Sequence, residues 1–468
     1  MNQTTTMGTD QISELRRRVA GPVLTPGAPG YDDVRRVWNG AIDRRPAVIV
    51  RCTSAADVAA AVGFGRLQGL PIAVRGGGHS IPGLSVCDDG LMIDLQPMKA
   101  ITVDPQRRVA TAEPGVVWAE LDRATQEHGL AVTGGEVSDT GIAGLTLGGG
   151  VGWLKRVCGL TCDNLLEAEL VTADGRIVVA NEVDHPELFW ALRGGGGNFG
   201  VVTRFTYRLH PVGPILYGGV TVHAGEDSAH VLRFVRDLSA RVPDEVSLMA
   251  ALVVAPPTPE FPPEVQGRPV AILGACHIGD PARGEEALRA VRDFGRPVVN
   301  LLGPIPYVAL QQMVDAANPR GLQYYVKSEW LGDLPDPVID GLVEHHLHRS
   351  SPLDQVLIHQ MGGAVSRVGR HATAFAYRDA AFVLTVAAGW PSADEPREPH
   401  VAWARSAWEA ARPASLGGAY VNHLDADEGE DRVREAYGPA VYDRLSAVKA
   451  TWDPHNVFRL NQNIRPRP

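Results

Sequence analysis

The residues best suited to chemistry lie in the run Val74-Arg75-Gly76-Gly77-Gly78-His79-Ser80. Three successive glycines let backbone N–H groups converge on an anion such as a pyrophosphate, with no side chain to keep the ligand away. A strand over 71–74 would deliver them in a fixed direction, and His79 would then stand at the edge of a large anionic cofactor. Two further glycine clusters run from Gly141 to Gly152 and from Gly194 to Gly200. A single turn needs only one or two glycines, so three clusters predict backbone lining an extended ligand. The second cluster reads as too glycine-dense for an ordinary helix or strand.

Short strands alternating with helices in the first half would position these groups. A β-branched run over 47–51, an Ala-rich helical segment from the N-cap Ser54 to Leu67, and the strand over 71–74 make a βαβ-like opening. Strands follow at 91–95, 100–104 and 109–112, the last two as a hairpin, and the spacing of 117–128 predicts an amphipathic helix stopped by Gly129. A second hairpin pairs 164–172 with 176–180, and the third glycine cluster precedes a strand over 201–209. After His210-Pro211 the texture changes to proline-punctuated segments, with strands such as 270–276 and 381–388 and helices over 337–348 and 400–411. The expected division is 1–212, then 213–427 as an α+β unit without glycine clusters, then a tail, 428–468, that returns to the first part.

Composition bounds the function class. With 468 residues, 44% hydrophobic and 21% charged, the chain suits a globular protein of several domains, and no apolar run nears the ~18 residues of a membrane-spanning helix. The stretch Met1 to Val19 is polar and lacks an apolar core, which argues against a secretory signal. A net charge of -10 without a basic stripe gives nucleic acid no electrostatic footing. Five scattered cysteines (Cys52, Cys87, Cys158, Cys162, Cys276) fit a reducing, cytoplasmic setting rather than a disulfide framework. His345-His346-Leu347-His348 beside Glu344 lacks a completing ligand set and reads as the solvated face of a polar helix, so no metal is expected. No Walker-type loop, Gly-x-Ser-x-Gly elbow or His-Glu-x-x-His stretch appears, which disfavours phosphoryl transfer, serine hydrolysis and zinc peptidase chemistry.

Arg75 to Ser80, Gly141 to Gly152, Gly159-Leu-Thr-Cys-Asp163-Asn164, Arg193 to Gly200 and Asn461-Gln-Asn463-Ile464 together resemble the berberine-bridge-enzyme-like FAD-linked oxidases, in the family's order and from about Trp38 to the C-terminus. The resemblance implies an α+β fold. Its parts are a two-subdomain PCMH/VAO-type FAD-binding domain, completed by the tail, and a central substrate domain whose helix-covered antiparallel sheet roofs the flavin. It also implies a covalent bond from His79 to the 8α-methyl of FAD, with Val74 and Arg75 to Ser80 as the pyrophosphate cradle. Gly200, Val201 and Val202 match the segment contacting adenine, and Asn461 a further contact. Thr140, Gly141, Gly144, Gly148, Gly149, Gly150, Gly152 and Trp153 match groups lining the ring system and its phosphates.

Two positions depart from the family pattern. Many members form a second covalent link from a cysteine four residues before the Gly141 equivalent. This chain has Val137 there, so the resemblance implies attachment through His79 only, and Cys158 and Cys162 read as small apolar packing. In Tyr420-Val421-Asn422-His423, the family's Tyr-x-Asn motif is followed by histidine where a tyrosine often serves as base. Free imidazole titrates near ~6.5 and phenol near ~10, so His423 needs less tuning to accept a proton at neutral pH, with Tyr420 next in line. Family placement also gives Tyr325 and Lys327, on one strand face, a substrate-facing role near His359-Gln360. The catalytic set so implied is His423, Tyr420, Asn422, Thr140, Tyr325 and Lys327.

The implied activity is oxidation of an alcohol or activated C–H of a secondary metabolite by hydride transfer to flavin, with dioxygen as acceptor and hydrogen peroxide as product. The chain also resembles the enterocin-pathway flavoenzyme of bacterial secondary metabolism. Thr140, where the family controls oxygen access, therefore leaves open an oxygenase working through a flavin-oxygen adduct. A flavoprotein that binds a metabolite without turnover is a third reading. Expected partners are a small-molecule substrate and dioxygen, with neither nucleic acid nor membrane, in a monomer or homodimer.

Overall fold

The computed structural model describes residues 8–259 and 261–467, so the first seven residues of the polar N-terminal stretch lie outside it. The β-branched run forms strand Val48–Arg51 and the Ala-rich segment forms helix Ala55–Leu67, capped by the Ser54 hydroxyl, which accepts from the Asp57 N–H. Strands Ile72–Arg75 and Leu91–Asp94 run parallel with Val48–Arg51 in a four-stranded sheet edged by Val23–Leu24. Parallel strands need a crossover, and Ala55–Leu67 provides it. Helix Thr9–Arg18, in the stretch that the sequence suggested was merely polar, sets Ile12 and Leu15 into the core of this sheet.

A second, antiparallel sheet takes the order Ile101–Asp104, Val109–Ala112, Val201–Arg208, Leu165–Val171, Ile177–Asn181, with the two expected hairpins as its flanks. Helices Glu430–Tyr437 and Pro439–Trp452 add Tyr437, Leu445 and Val448 to the core under it. The third sheet has eight antiparallel strands, among them Val246–Val254, Gln355–Gln360, Phe382–Trp390 and Gln323–Leu331. Helices Ser228–Ser239, Asp336–Leu347 and Arg397–Glu409 cover one face through Val231, Leu342 and Trp403. Side chains alternate across a strand, so Tyr325, Leu384 and Val386 face those helices while Tyr324 and Val326 face Trp38 and Ile81 of the glycine-rich half. The expected α+β class is what forms, and the opposite face of the large sheet becomes the roof of the site.

Two expectations fail at the level of elements. Within the second glycine cluster, Ile142–Leu147 is an α-helix, because Gly141 and Gly148 sit at its caps and only Gly144 lies inside it. The histidine run is not a solvated face: His346 is buried, and burial together with Arg349 pushes its imidazole down to about 3. His345 bonds the Gly341 carbonyl and Ser406 instead. Among the described residues no group of His, Cys, Asp or Glu side chains could hold a metal ion, and no helix is long and apolar enough to cross a membrane.

Candidate active site

Strand Ile72–Arg75 delivers its chain directly into the first glycines. A Cβ on Gly77 would lie 2.3 Å from the Gly141 nitrogen, and one on Gly141 would lie 2.3 Å from the Gly77 nitrogen, so the first two clusters touch backbone to backbone. Gly78 adopts φ +76, a left-handed conformation that a Cβ would strain. Among the described residues, none accepts from the backbone N–H groups of Gly76, Gly77, Gly78, His79 or Ser80. Such a row of free donors can take an anion and fits the pyrophosphate of FAD. Side chains of the segment contribute less than expected. The Arg75 guanidinium turns away to the Val34 and Arg36 carbonyls and Gln96, Val74 packs against the first-sheet core, and the Ser80 hydroxyl accepts from the Leu84 N–H at 3.0 Å.

His79 follows this row and is held on two sides. Its Nε2 lies 2.6 Å from Asp139 Oδ1, and its ring stacks on Trp38 at 5.2 Å, with Trp38 in turn stacked on Tyr324 at 3.9 Å. Burial lowers the pKa of the imidazole, outweighing the opposing pull of Asp139, so the ring is neutral.

The later glycines answer mainly to the protein itself. A Cβ on Gly148 would strike Asn422 Oδ1 at 2.0 Å, on Gly149 Phe375 at 2.8 Å, on Gly150 Thr161 Oγ1 at 2.1 Å, and on Gly152 the Gly134 carbonyl at 1.8 Å. Gly200 is closed by the Val171 carbonyl at 2.7 Å. Only Gly144 of the second cluster has open space where its side chain would be. In the third cluster Asn198 is pinned by the tail: its carbonyl accepts from the buried Lys449 at 2.6 Å and its Oδ1 from the Ile464 N–H at 3.0 Å. Asn461 joins them by donating to the Gly197 carbonyl at 3.2 Å, and its buried Oδ1 keeps a free lone pair. Close packing therefore explains much of the glycine density in the second cluster, while Gly144 and Gly197 keep open space where a side chain would be. Val201 and Val202 are likewise buried in the first and second protein cores, which leaves only backbone for an adenine contact. Trp153 packs against Met249 and Gly274 of the large sheet.

The Tyr-x-Asn-His segment folds against the second cluster. Tyr420 Oη accepts from the Gly150 and Val151 N–H groups at 3.1 and 3.3 Å and from Asn422 Nδ2 at 2.9 Å. Those donors occupy its lone pairs, and burial pushes the phenol up to about 12 against their pull, so Tyr420 braces the second glycine cluster. His423 Nδ1 pairs with Thr385 Oγ1 at 3.0 Å on the roof strand Phe382–Trp390. Burial and then His359 lower its imidazole to about 4 against the opposing charge of Glu136. Glu136, one residue before Val137, pairs with His359 at 2.8 Å, and its Oε1 is buried without a partner. Lys155 completes the group. It is buried, and desolvation lowers its pKa against the pull of Glu136.

Glu136, Asp139 and Lys155 were missed by sequence reasoning. All three border the second glycine cluster, and a lysine there, in a chain with so few, was the available signal. Arg320 had none, being remote in sequence from its partner Asp139.

Tyr325 and Lys327 do share a strand face, but it is the wrong one. Tyr325 donates to Asp427 at 2.8 Å and accepts from Arg405 at 3.0 Å, while Lys327 donates to Glu428 at 2.7 Å and sits over the Trp408 ring. Both therefore belong to the helix-covered back of the sheet, and strand alternation gives the site side to Tyr324 and Val326. Thr140, beside Gly77, donates its backbone N–H to the Val137 carbonyl at 3.1 Å and is half-buried.

Comparison with known proteins agrees with this construction. Residues 46–181 match the family described as FAD binding domain, and 419–465 the family described as berberine and berberine like. An FAD-linked oxidoreductase of Dictyostelium discoideum is 31% identical over 98% of this chain and 97% of its own. The (R)-6-hydroxynicotine oxidase of Paenarthrobacter nicotinovorans is 31% identical over 96% of this chain and 97% of its own. The crystal structure of 6-hydroxy-D-nicotine oxidase from Arthrobacter nicotinovorans superimposes with a TM-score of 0.86 at 28% identity, covering 96% of this chain and 98% of that one. The two-subdomain PCMH/VAO-type architecture follows, and the chain belongs to the berberine-bridge-enzyme-like family of FAD-linked oxidoreductases.

Proposed function

We propose that this protein is an oxidase that carries FAD on His79 alone and uses His423 to take a proton from an alcohol or activated C–H of a small secondary metabolite. The observation that carries the reading is the state of His423. With its imidazole lowered to about 4 it is unprotonated throughout the neutral range, and its Nδ1 is paired with Thr385, which leaves Nε2 for the substrate. A base must be unprotonated before it can accept a proton. The charge of Glu136 favours the imidazolium and keeps this value from falling further under burial and His359. Tyr420 and Asn422 hold the second glycine cluster against this segment, and His359 fixes Glu136 opposite. FAD, when bound, takes two electrons from the substrate and passes them to dioxygen as hydrogen peroxide.

The absence of a cysteine at Val137 supports single attachment, and the thiol of Cys162 is buried with its pKa raised, far from nucleophilic. All five cysteines are buried and unpaired, which supports a cytoplasmic setting. Likeness to (R)-6-hydroxynicotine oxidase supports the oxidase outcome and adds hydroxylated nitrogen heterocycles to the secondary-metabolite alcohols to be assayed. The test is peroxide release by the holoenzyme across these substrates. His423→Ala is expected to lower turnover by about 10² to 10⁴ with flavin content unchanged. A loss below a few-fold removes His423 from the reading. With labelled dioxygen, label in peroxide supports the oxidase, and label in the organic product means an oxygenase in which Thr140 becomes the residue of interest.

A further inference from the structure

Asp139 has no part in substrate oxidation as described, yet it touches the residue that bonds the cofactor. Its Oδ1 lies 2.6 Å from His79 Nε2 and its Oδ2 accepts from Arg320 Nε at 2.5 Å. Against the opposing effect of burial, His79 and then Arg320 hold its carboxyl down to about 2, so it is ionised. An ionised carboxylate can only accept, which places the imidazole hydrogen on Nε2. Because the His79 ring is neutral, its lone pair is then on Nδ1, and among the described residues none bonds that atom. The loop that carries Asp139 is itself clamped. The Ser138 N–H and hydroxyl donate to Asp315 at 2.8 and 2.5 Å, and Arg320 donates to the Gly77 carbonyl at 3.0 Å.

We propose that Asp139, held by Arg320, is a positioning residue for covalent flavin attachment: it fixes the His79 tautomer that presents Nδ1 to the 8α carbon and stabilises the positive charge that develops on the imidazole. The proposal rests on the covalent reading of His79. In the step, one C–H bond of the 8α-methyl breaks and an Nδ1–C bond forms. The methyl proton and the Nε2 proton are released, and the two electrons left on the ring system pass to dioxygen, which with two protons becomes hydrogen peroxide. Asp139 acts on His79 as the buried aspartate acts on histidine in a serine hydrolase triad, by orientation and charge rather than by taking the proton.

The test uses the full chain, produced in riboflavin-starved cells and then given FAD, with bond formation followed by intact mass and by flavin fluorescence in denaturing gels. Wild-type protein is expected to couple fully. Asp139→Asn, which keeps the shape of the side chain, is expected to bind FAD and to couple at least tenfold more slowly. Asp139→Ala should be slower still, with formate restoring its rate in proportion to concentration, and Asp139→Glu should recover more than Asp139→Ala. A merely structural aspartate would not yield to formate. Wild-type rates in Asp139→Asn, or an Asp139→Ala rate that formate leaves unchanged, would overturn the proposal. Flavin that remains non-covalent in the wild type would instead overturn the covalent reading of His79 and the proposal with it.

Discussion

At Gly76 to Ser80 the backbone N–H groups meet no acceptor among the described residues, whereas at Gly148 to Gly152 nearly every approach is filled by another part of the chain. Tyr420 takes the N–H groups of Gly150 and Val151, and Asn422, Phe375, Thr161 and Gly134 occupy the volumes where side chains would be. Glycine density is the same signal in both loops, but its cause differs. In the first, glycine permits a left-handed turn and leaves donors open to an anion; in the second, it permits protein segments to close on one another. Free donors mark the first loop, and filled approaches mark the second.

Substitutions can break or sharpen this contrast. Gly152→Ala places a Cβ 1.8 Å from a carbonyl of another backbone segment, which cannot yield as a side chain would, and should cost upwards of about 3 kcal/mol. Loss of soluble protein is the expected readout, and a well-folded Gly152→Ala would break the packing account of that loop. Tyr420→Phe strips the acceptor from buried N–H groups at a cost of about 1–3 kcal/mol. Its thermal midpoint should drop while flavin stays bonded, since the brace is distant in role from His79. Gly78→Ala should cost about 1 kcal/mol through its φ of +76, and flavin content should suffer more than the melting temperature. Gly144→Ala has the smallest effect on stability. It has open space inside a helix, so the flavin-free chain should melt at the same temperature or slightly higher, by up to about 1 kcal/mol, while flavin uptake weakens. Unchanged flavin uptake in Gly144→Ala would show that its open face is not a ligand face.

Much of the frame was legible because local signals agreed. Ser54 marked its helix, the two hairpins carried their turn residues, and strand alternation in Gln323–Leu331 correctly put Tyr325 and Lys327 on one face. Which face was not legible, because that depends on helix Arg397–Glu409 packing behind the strand, a contact between distant segments. The same limit applies at the site. His79, Tyr420, Asn422 and His423 stand out in sequence because they lie in motifs, whereas Asp139 with Arg320, and Glu136 with His359, are pairs that exist only once the large sheet closes over the glycine loops. Three of the four lysines, Lys155, Lys327 and Lys449, are buried, so a compositional oddity concealed structural and electrostatic roles.

The reading of His79 and the role given to Asp139 both depend on flavin being bonded at His79, and peptide mapping by mass spectrometry of the purified holoenzyme measures this directly. The account predicts one FAD on the peptide containing His79, none on any cysteine-containing peptide, and loss of the adduct in His79→Ala. Flavin that washes free on denaturation of the wild-type protein, or an adduct found on another residue, would contradict it.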